Sequence, residues 1–109
     1  MGKLAIGIKQ GETFFKEMRL KDDAGVAIST SGATITAEIR KAGDNTLEAE
    51  FDVSLLSDNW FKLQLEPAVT EDLPRVKGLV WDVRFETSGG VVYYTPRDSV
   101  EVLDTATEA

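Results

Sequence analysis

Strict two-residue alternation of apolar and polar side chains constrains this chain more than any other feature. Ala33, Ile35, Ala37 and Ile39 alternate with Thr34, Thr36, Glu38 and Arg40. Leu47, Ala49, Phe51, Val53 and Leu55 alternate in the same way with Glu48, Glu50, Asp52 and Ser54. Successive side chains of a strand point to opposite faces, whereas a helix brings a face back only after about 3.6 residues. These stretches therefore read as half-buried β-strands, and Ala42-Gly43-Asp44-Asn45 between them suits a hairpin.

The same period recurs along the chain. Leu4, Ile6 and Ile8 alternate, as do Phe14, Met18 and Leu20 with Lys16 as an intruder. Phe61, Leu63 and Leu65 form another set, and Leu79, Trp81, Val83 and Phe85 a further one. Val26-Ala27-Ile28 and Val91 to Thr95 are short strand candidates, and Val100 and Val102 mark a last one. Lys21-Asp22-Asp23-Ala24-Gly25, Ser57-Asp58-Asn59 and Ser88-Gly89-Gly90 carry turn chemistry. Pro67 ends a strand because it has no N–H for the ladder. Thr70 to Pro74 is expected to make one helical turn capped by Thr70. The sum is about seven or eight short strands with frequent turns, an all-β fold. An immunoglobulin-like antiparallel β-sandwich is expected, with a small barrel as the other closed solution. Residues 1–103 read as one domain, and Asp104 to Ala109 as a flexible C-terminal tail. Trp81, on an inward register, is expected to fill the core.

Composition narrows the function. The 109 residues contain neither cysteine nor histidine, which removes disulfides, thiol nucleophiles, imidazole metal sites and the Ser-His-Asp triad. Glu48, Glu50 and Asp52 read as a solvated strand face, and Asp22-Asp23-Ala24-Gly25 as a plain turn that lacks the oxygens of a calcium loop. No phosphate-cradling glycine loop or nucleophile elbow is present. No catalytic residue, metal site or cofactor is therefore expected, and the protein reads as a non-enzyme. The 12 Lys and Arg are scattered against 19 Asp and Glu, a net charge of −7. That balance argues against nucleic acid and anionic membranes as partners. The N-terminus lacks a signal peptide's apolar region, and no apolar run approaches the ~20 residues of a membrane span. Synthesis in a cytoplasm and a soluble product are expected.

Three aromatic doublets stand apart: Phe14-Phe15, Trp60-Phe61 and Tyr93-Tyr94. If Phe14 and Phe61 point inward, Phe15 and Trp60 point outward, joined by Tyr93 or Tyr94. Exposed aromatics are enriched where a protein buries surface against a partner. Phe15, Trp60, Tyr93 and Tyr94 are therefore candidate interface residues. The alternative is that a loop covers them or that they sit at strand ends.

The order of these signals also resembles a family. Gln10-Gly11-Glu12-Thr13-Phe14 opens a strand, and Asp23-Ala24-Gly25-Val26 makes an Asp-x-Gly-hydrophobic corner. Ser31 to Arg40, Phe51-Asp52-Val53, Leu63-Gln64-Leu65, the threonine turn at Thr70 and Leu79 to Val83 follow. The Gly89-Gly90 hairpin and the closing Val100-Glu101-Val102 complete the series. From Gly11 to Val102 the chain resembles the small immunoglobulin-like virion proteins of tailed bacteriophages and prophages. It is also similar to the N-terminal domain of siphophage baseplate upper proteins. Ala27 to Gly32 is longer than the family's usual corner, and a stand-alone protein without the receptor-binding or trimerising part of baseplate proteins is expected. The resemblance implies a structural or adaptor protein of the virion that contacts other phage structural proteins or itself. A carbohydrate-binding module is the alternative, with Trp60 and a tyrosine stacking on sugar rings.

Overall fold

In a computed structural model, residues 5–57 and 59–103 are described. Leu4, Asp58 and the expected tail at 104–109 lie outside them. Among the described residues nine strands and one short helix follow in order. These are β1 Ile6–Lys9, β2 Phe14–Met18, β3 Thr34–Lys41, β4 Leu47–Glu50, β5 Asp52–Leu55 and β6 Phe61–Leu65. Then come α1 Pro67–Glu71, β7 Leu79–Glu86, β8 Val92–Tyr94 and β9 Asp98–Leu103.

The strands make two sheets. The larger runs β1-β9-β7-β3-β4, with β8 also paired to β7, and the smaller runs β2-β6-β5. Their inward rows meet in one core that includes Ile8, Ala37, Ile39, Phe61, Leu63, Leu65, Leu79, Trp81, Val83 and Phe85, each at most 1% exposed. Aromatic contacts tie the sheets together. Phe51 lies between Phe14 of β2 at 5.9 Å and Trp81 of β7 at 6.0 Å, and Phe61 of β6 meets Phe85 of β7 at 5.9 Å. Trp81 is the core filler that its register predicts. This division of strands defines an immunoglobulin-like β-sandwich.

The expected strand over 47–55 is two strands. Phe51 N still donates to Ala37 O of β3 at 2.9 Å, but the next residue, Asp52, is already paired with Gln64 of β6. The chain leaves one sheet for the other around the buried Phe51, and period two continues across the switch without marking it. Glu48, Glu50 and Asp52 therefore do not share one strand face. A bulge beside Ile39 and Arg40 pairs Ile39 with Ala49 but Arg40 with Leu47. The extra residue, Glu48, puts Leu47 on the outward row, where it is exposed.

Other expectations are corrected in detail. Among the described residues nine strands replace seven or eight, and β1 runs parallel to β9, with Ile6 beside Val100, while the remaining strand pairs are antiparallel. Parallel pairing needs a long crossover, and nearly the whole domain lies between these two strands. Val26-Ala27-Ile28 forms no strand, only a bridge between Ala27 and Lys21. The Asp22 carboxylate closes this turn by accepting from the amides of Ala24 and Val26 at 2.9 and 3.0 Å.

The helical turn starts earlier than expected. Pro67 sits at its first positions and Glu66 is its N-cap, where the missing N–H of proline is harmless. Thr70 lies inside the helix, fully buried, and its hydroxyl is shared between the carbonyls of Glu12 at 2.8 Å and Pro67 at 3.1 Å. Pro96 separates β8 from β9 along one side of β7. Thr95 bridges that break: its N–H donates to Val83 O at 3.0 Å, and its hydroxyl oxygen accepts from Val83 N at 2.9 Å.

Candidate protein-docking surfaces

The four candidate aromatics do not come together. Phe15 lies on the outward face of the smaller sheet, opposite Gln64, which faces Asp52 in turn. Glu17 and Lys62 form the neighbouring outward pair. Phe15 is 64% exposed on this otherwise polar face, with no loop over it. Its neighbour Phe14 turns inward against Phe51, as alternation requires.

Trp60 is half-buried at the turn into β6. Its N–H donates to Ser57 O and its carbonyl accepts from Leu56 N. The Arg19 guanidinium lies 4.9 Å from the indole centroid, a cation–π contact that covers part of the ring. Glu17, Leu56, Ser57 and Trp60 border a shallow hollow of about 200 Å³. For Trp60 the strand-end alternative holds: the ring is already partly used by its own chain.

Tyr93 and Tyr94 divide as adjacent strand residues must. Tyr93, opposite Phe85, packs against the core. Tyr94, opposite Arg84, is 64% exposed on the outward face of the larger sheet. Of the four candidates, Phe15 and Tyr94 stand fully outward, on opposite sides of the sandwich. Period two assigns Val92 to the outward row with Tyr94, and the structure adds it to the exposed surface together with Val91.

The outward face of the larger sheet is a self-neutralising charge lattice. Glu38 and Asp82 lie opposite each other on β3 and β7. Arg40 pairs with Glu38 at 2.9 Å, and Arg97 approaches Asp82 at 3.8 Å. Lys41 pairs with Glu48 at 3.6 Å, and Arg84 with Glu86 at 3.1 Å. Exposed pairs of this kind contribute at most about 1 kcal/mol each, so they set the character of the face more than its stability. Hydrogen bonds first to Glu86 and then to the Tyr94 hydroxyl hold the Arg84 guanidinium above its ordinary pKa. The Asp44 carboxyl is held below its ordinary value, chiefly by bonds from Thr46. Both shifts reinforce the ordinary charge and neither creates a proton-transfer group near neutrality. Among the described residues no three acidic, His or Cys side chains are grouped to hold a metal.

Comparison with known proteins agrees with the fold. No family model and no curated protein matches the sequence. Among solved structures, the chain is similar to the SrpA adhesin from Streptococcus sanguinis. The TM-score is 0.51 at 18% identity, over 91% of this chain and 54% of that one, so this chain spans about half of the adhesin. It is also similar to the Lin-41 filamin domain, with TM-score 0.49, 12% identity, and 88% and 81% of the two chains covered. A third is the extracellular domain of the mouse leukocyte-associated immunoglobulin-like receptor 1, solved as a strand-swapped dimer. There the TM-score is 0.45 at 10% identity, over 96% and 85% of the chains. At 18% identity the likeness to the adhesin concerns the fold alone.

Proposed function

We propose that this chain is a non-enzymatic docking domain of a tailed-phage particle, a structural or adaptor component that works through protein–protein contacts. The observation that carries the reading is the pair Phe15 and Tyr94, each 64% exposed within a regular strand and on outward faces of different sheets. An aromatic held rigidly on a strand loses little entropy on binding and offers a large apolar area. Two such anchors on opposite sides suit a domain seated between neighbours in an assembly, where weak contacts are multiplied by symmetry. The phage setting rests on the resemblance of Gly11 to Val102 to small virion proteins. Other structural proteins of the particle are the partners it implies, and the virion is the location.

The carbohydrate alternative lacks comparable support. Sugar rings stack on aromatics that share a surface, whereas Phe15 and Tyr94 face away from each other and Trp60 is engaged by Arg19.

The test is incorporation. Tagged wild-type chain and the variants Phe15→Ala and Tyr94→Ala are expressed during particle production, and purified particles are probed for the tag. The wild type is expected in the particle, and each variant at least several-fold depleted with an unchanged melting temperature. Particles free of the wild-type chain, or filled equally by all three, refute the proposal.

A further inference from the structure

We infer that β8 is a pairing edge for a second copy of this chain, joining two of the larger sheets through antiparallel β8 strands about a two-fold axis. The inference rests on the docking reading above and names a second copy as the neighbour beside one of its two anchors, Tyr94.

The first observation is an open edge. Among the described residues β8 pairs with β7 and nothing else. Val91 O accepts from Thr87 N, and Thr95 N donates to Val83 O. Residues 91, 93 and 95 therefore aim their backbone groups at β7. By alternation the N–H and C=O groups of Val92 and Tyr94 point away from the sheet.

The second observation is a contrast among edges. Strands at sheet edges are protected by shortness, proline, charge, bulges or inward-pointing lysines; β8 is three residues long and Pro96 follows it, but it lacks the charges of the other edges. Here β1 carries Lys9, β2 carries Lys16 on an inward register, β4 carries two glutamates and a bulge, and β5 carries Asp52. The β8 strand, Val92-Tyr93-Tyr94, has no charge, and Val91 and Thr95 extend the uncharged run. Val91, Val92 and Tyr94 are 52%, 40% and 64% exposed.

The third observation selects a second copy as the occupant. A two-fold axis through Tyr93 sets Val92 opposite the partner's Tyr94 and Tyr94 opposite the partner's Val92. Both pairs are aromatic against β-branched, a favourable cross-strand combination. Both are also pairs in which the two residues exchange backbone hydrogen bonds. On β7, Arg84 lies beside Tyr94 and Glu86 beside Val92. Each outward row then runs from Arg84 through Tyr94 and the partner's Val92 to the partner's Glu86. Every row carries one cation and one carboxylate, so two chains of net charge −7 meet at a seam without like-charge contact.

Two measurements on the full chain test this. Light scattering across concentration is expected to move wild type from 11.9 kDa toward twice that mass. The double variant Val92→Lys/Tyr94→Lys is expected to stay at the monomer mass with little change in melting temperature. Register is tested by crosslinking, which the absence of native cysteine makes unambiguous. Paired hydrogen-bonded residues lie about 5.5 Å apart at Cα, within disulfide range. Val92→Cys chains mixed with Tyr94→Cys chains and an added oxidant should give several-fold more dimer than either variant alone. A wild type monomeric at all concentrations, or a mixture that crosslinks no better than its components, overturns the inference. Should the lysine variant fail to fold, the crosslinking comparison decides alone. Either failure leaves the incorporation test of the docking reading unaffected.

Discussion

Replacing Thr95 by valine isolates one hydrogen bond in the middle of the larger sheet. The substitution keeps the side-chain shape but removes the oxygen that accepts from Val83 N at 2.9 Å. Val83 is fully buried and Thr95 is 7% exposed, so water cannot readily replace the acceptor. Leaving a buried N–H unpaired costs about 1–3 kcal/mol, and exchanging hydroxyl for methyl returns roughly 0.8 kcal/mol of apolar burial. A net loss of about 1.2 kcal/mol is expected. For 109 residues the unfolding entropy is about 0.23 kcal/mol/K, so the melting temperature should fall by roughly 5 °C. Thr95→Ser keeps the oxygen and loses only a methyl, for a loss of about 1 kcal/mol or roughly 4 °C. Calorimetry orders the three proteins, and amide exchange by NMR reads the bond itself. The Val83 amide should lose protection in the valine variant and keep it in the serine variant. A valine variant that melts at or above the serine variant, with the Val83 amide still protected, would show that Thr95 does not complete the ladder.

Gly32 and Gly25 both adopt positive φ, 69° and 81°, but only Gly32 is crowded: a Cβ there would sit 3.0 Å from Ser88 Cβ. Gly25→Ala should cost about 1–2 kcal/mol for the left-handed backbone, and Gly32→Ala measurably more; equal denaturation midpoints for the two variants would rule out the Ser88 contact. Asp44 has its pKa lowered in the fold, so its contribution to stability is complete above the unfolded value of 3.8 and lost as pH falls through the lower folded value. Asp44→Asn should therefore flatten the acid limb of the melting-temperature profile, and superimposable limbs for the two proteins would contradict the sign.

The docking reading and the strand chemistry meet at β8. A sandwich must end each sheet somewhere, and an end strand without charge is either a hazard or an interface. Lys16 shows the protective solution: it takes an inward place in β2 between Phe14 and Met18, opposite Leu63, so a strand that docked there would confront a charge. On β8 the corresponding places hold valine and tyrosine. Thr95 and Pro96 then end the open segment before β9, whose far side is already occupied by β1.

The fold class, the core rows of β3, β6 and β7, and the inward place of Trp81 are legible in the order of residues alone. These follow from alternation, which is a local property that any strand with one wet face must show. Alternation also separated Phe14 from Phe15 and assigned opposite faces to the two tyrosines. It could not say which tyrosine turned outward, because Val92 and Tyr94 form one apolar register and Val91, Tyr93 and Thr95 an equally plausible other. Pairing with Phe85 settles it, by packing Tyr93 against the core. Tertiary contacts likewise set the change of sheet at Phe51, the bulge that turns Leu47 outward, the parallel seam of β1 and β9, and the capture of Trp60 by Arg19. Each depends on a partner outside its own segment, whereas periodicity reports only whether one face of a segment is dry.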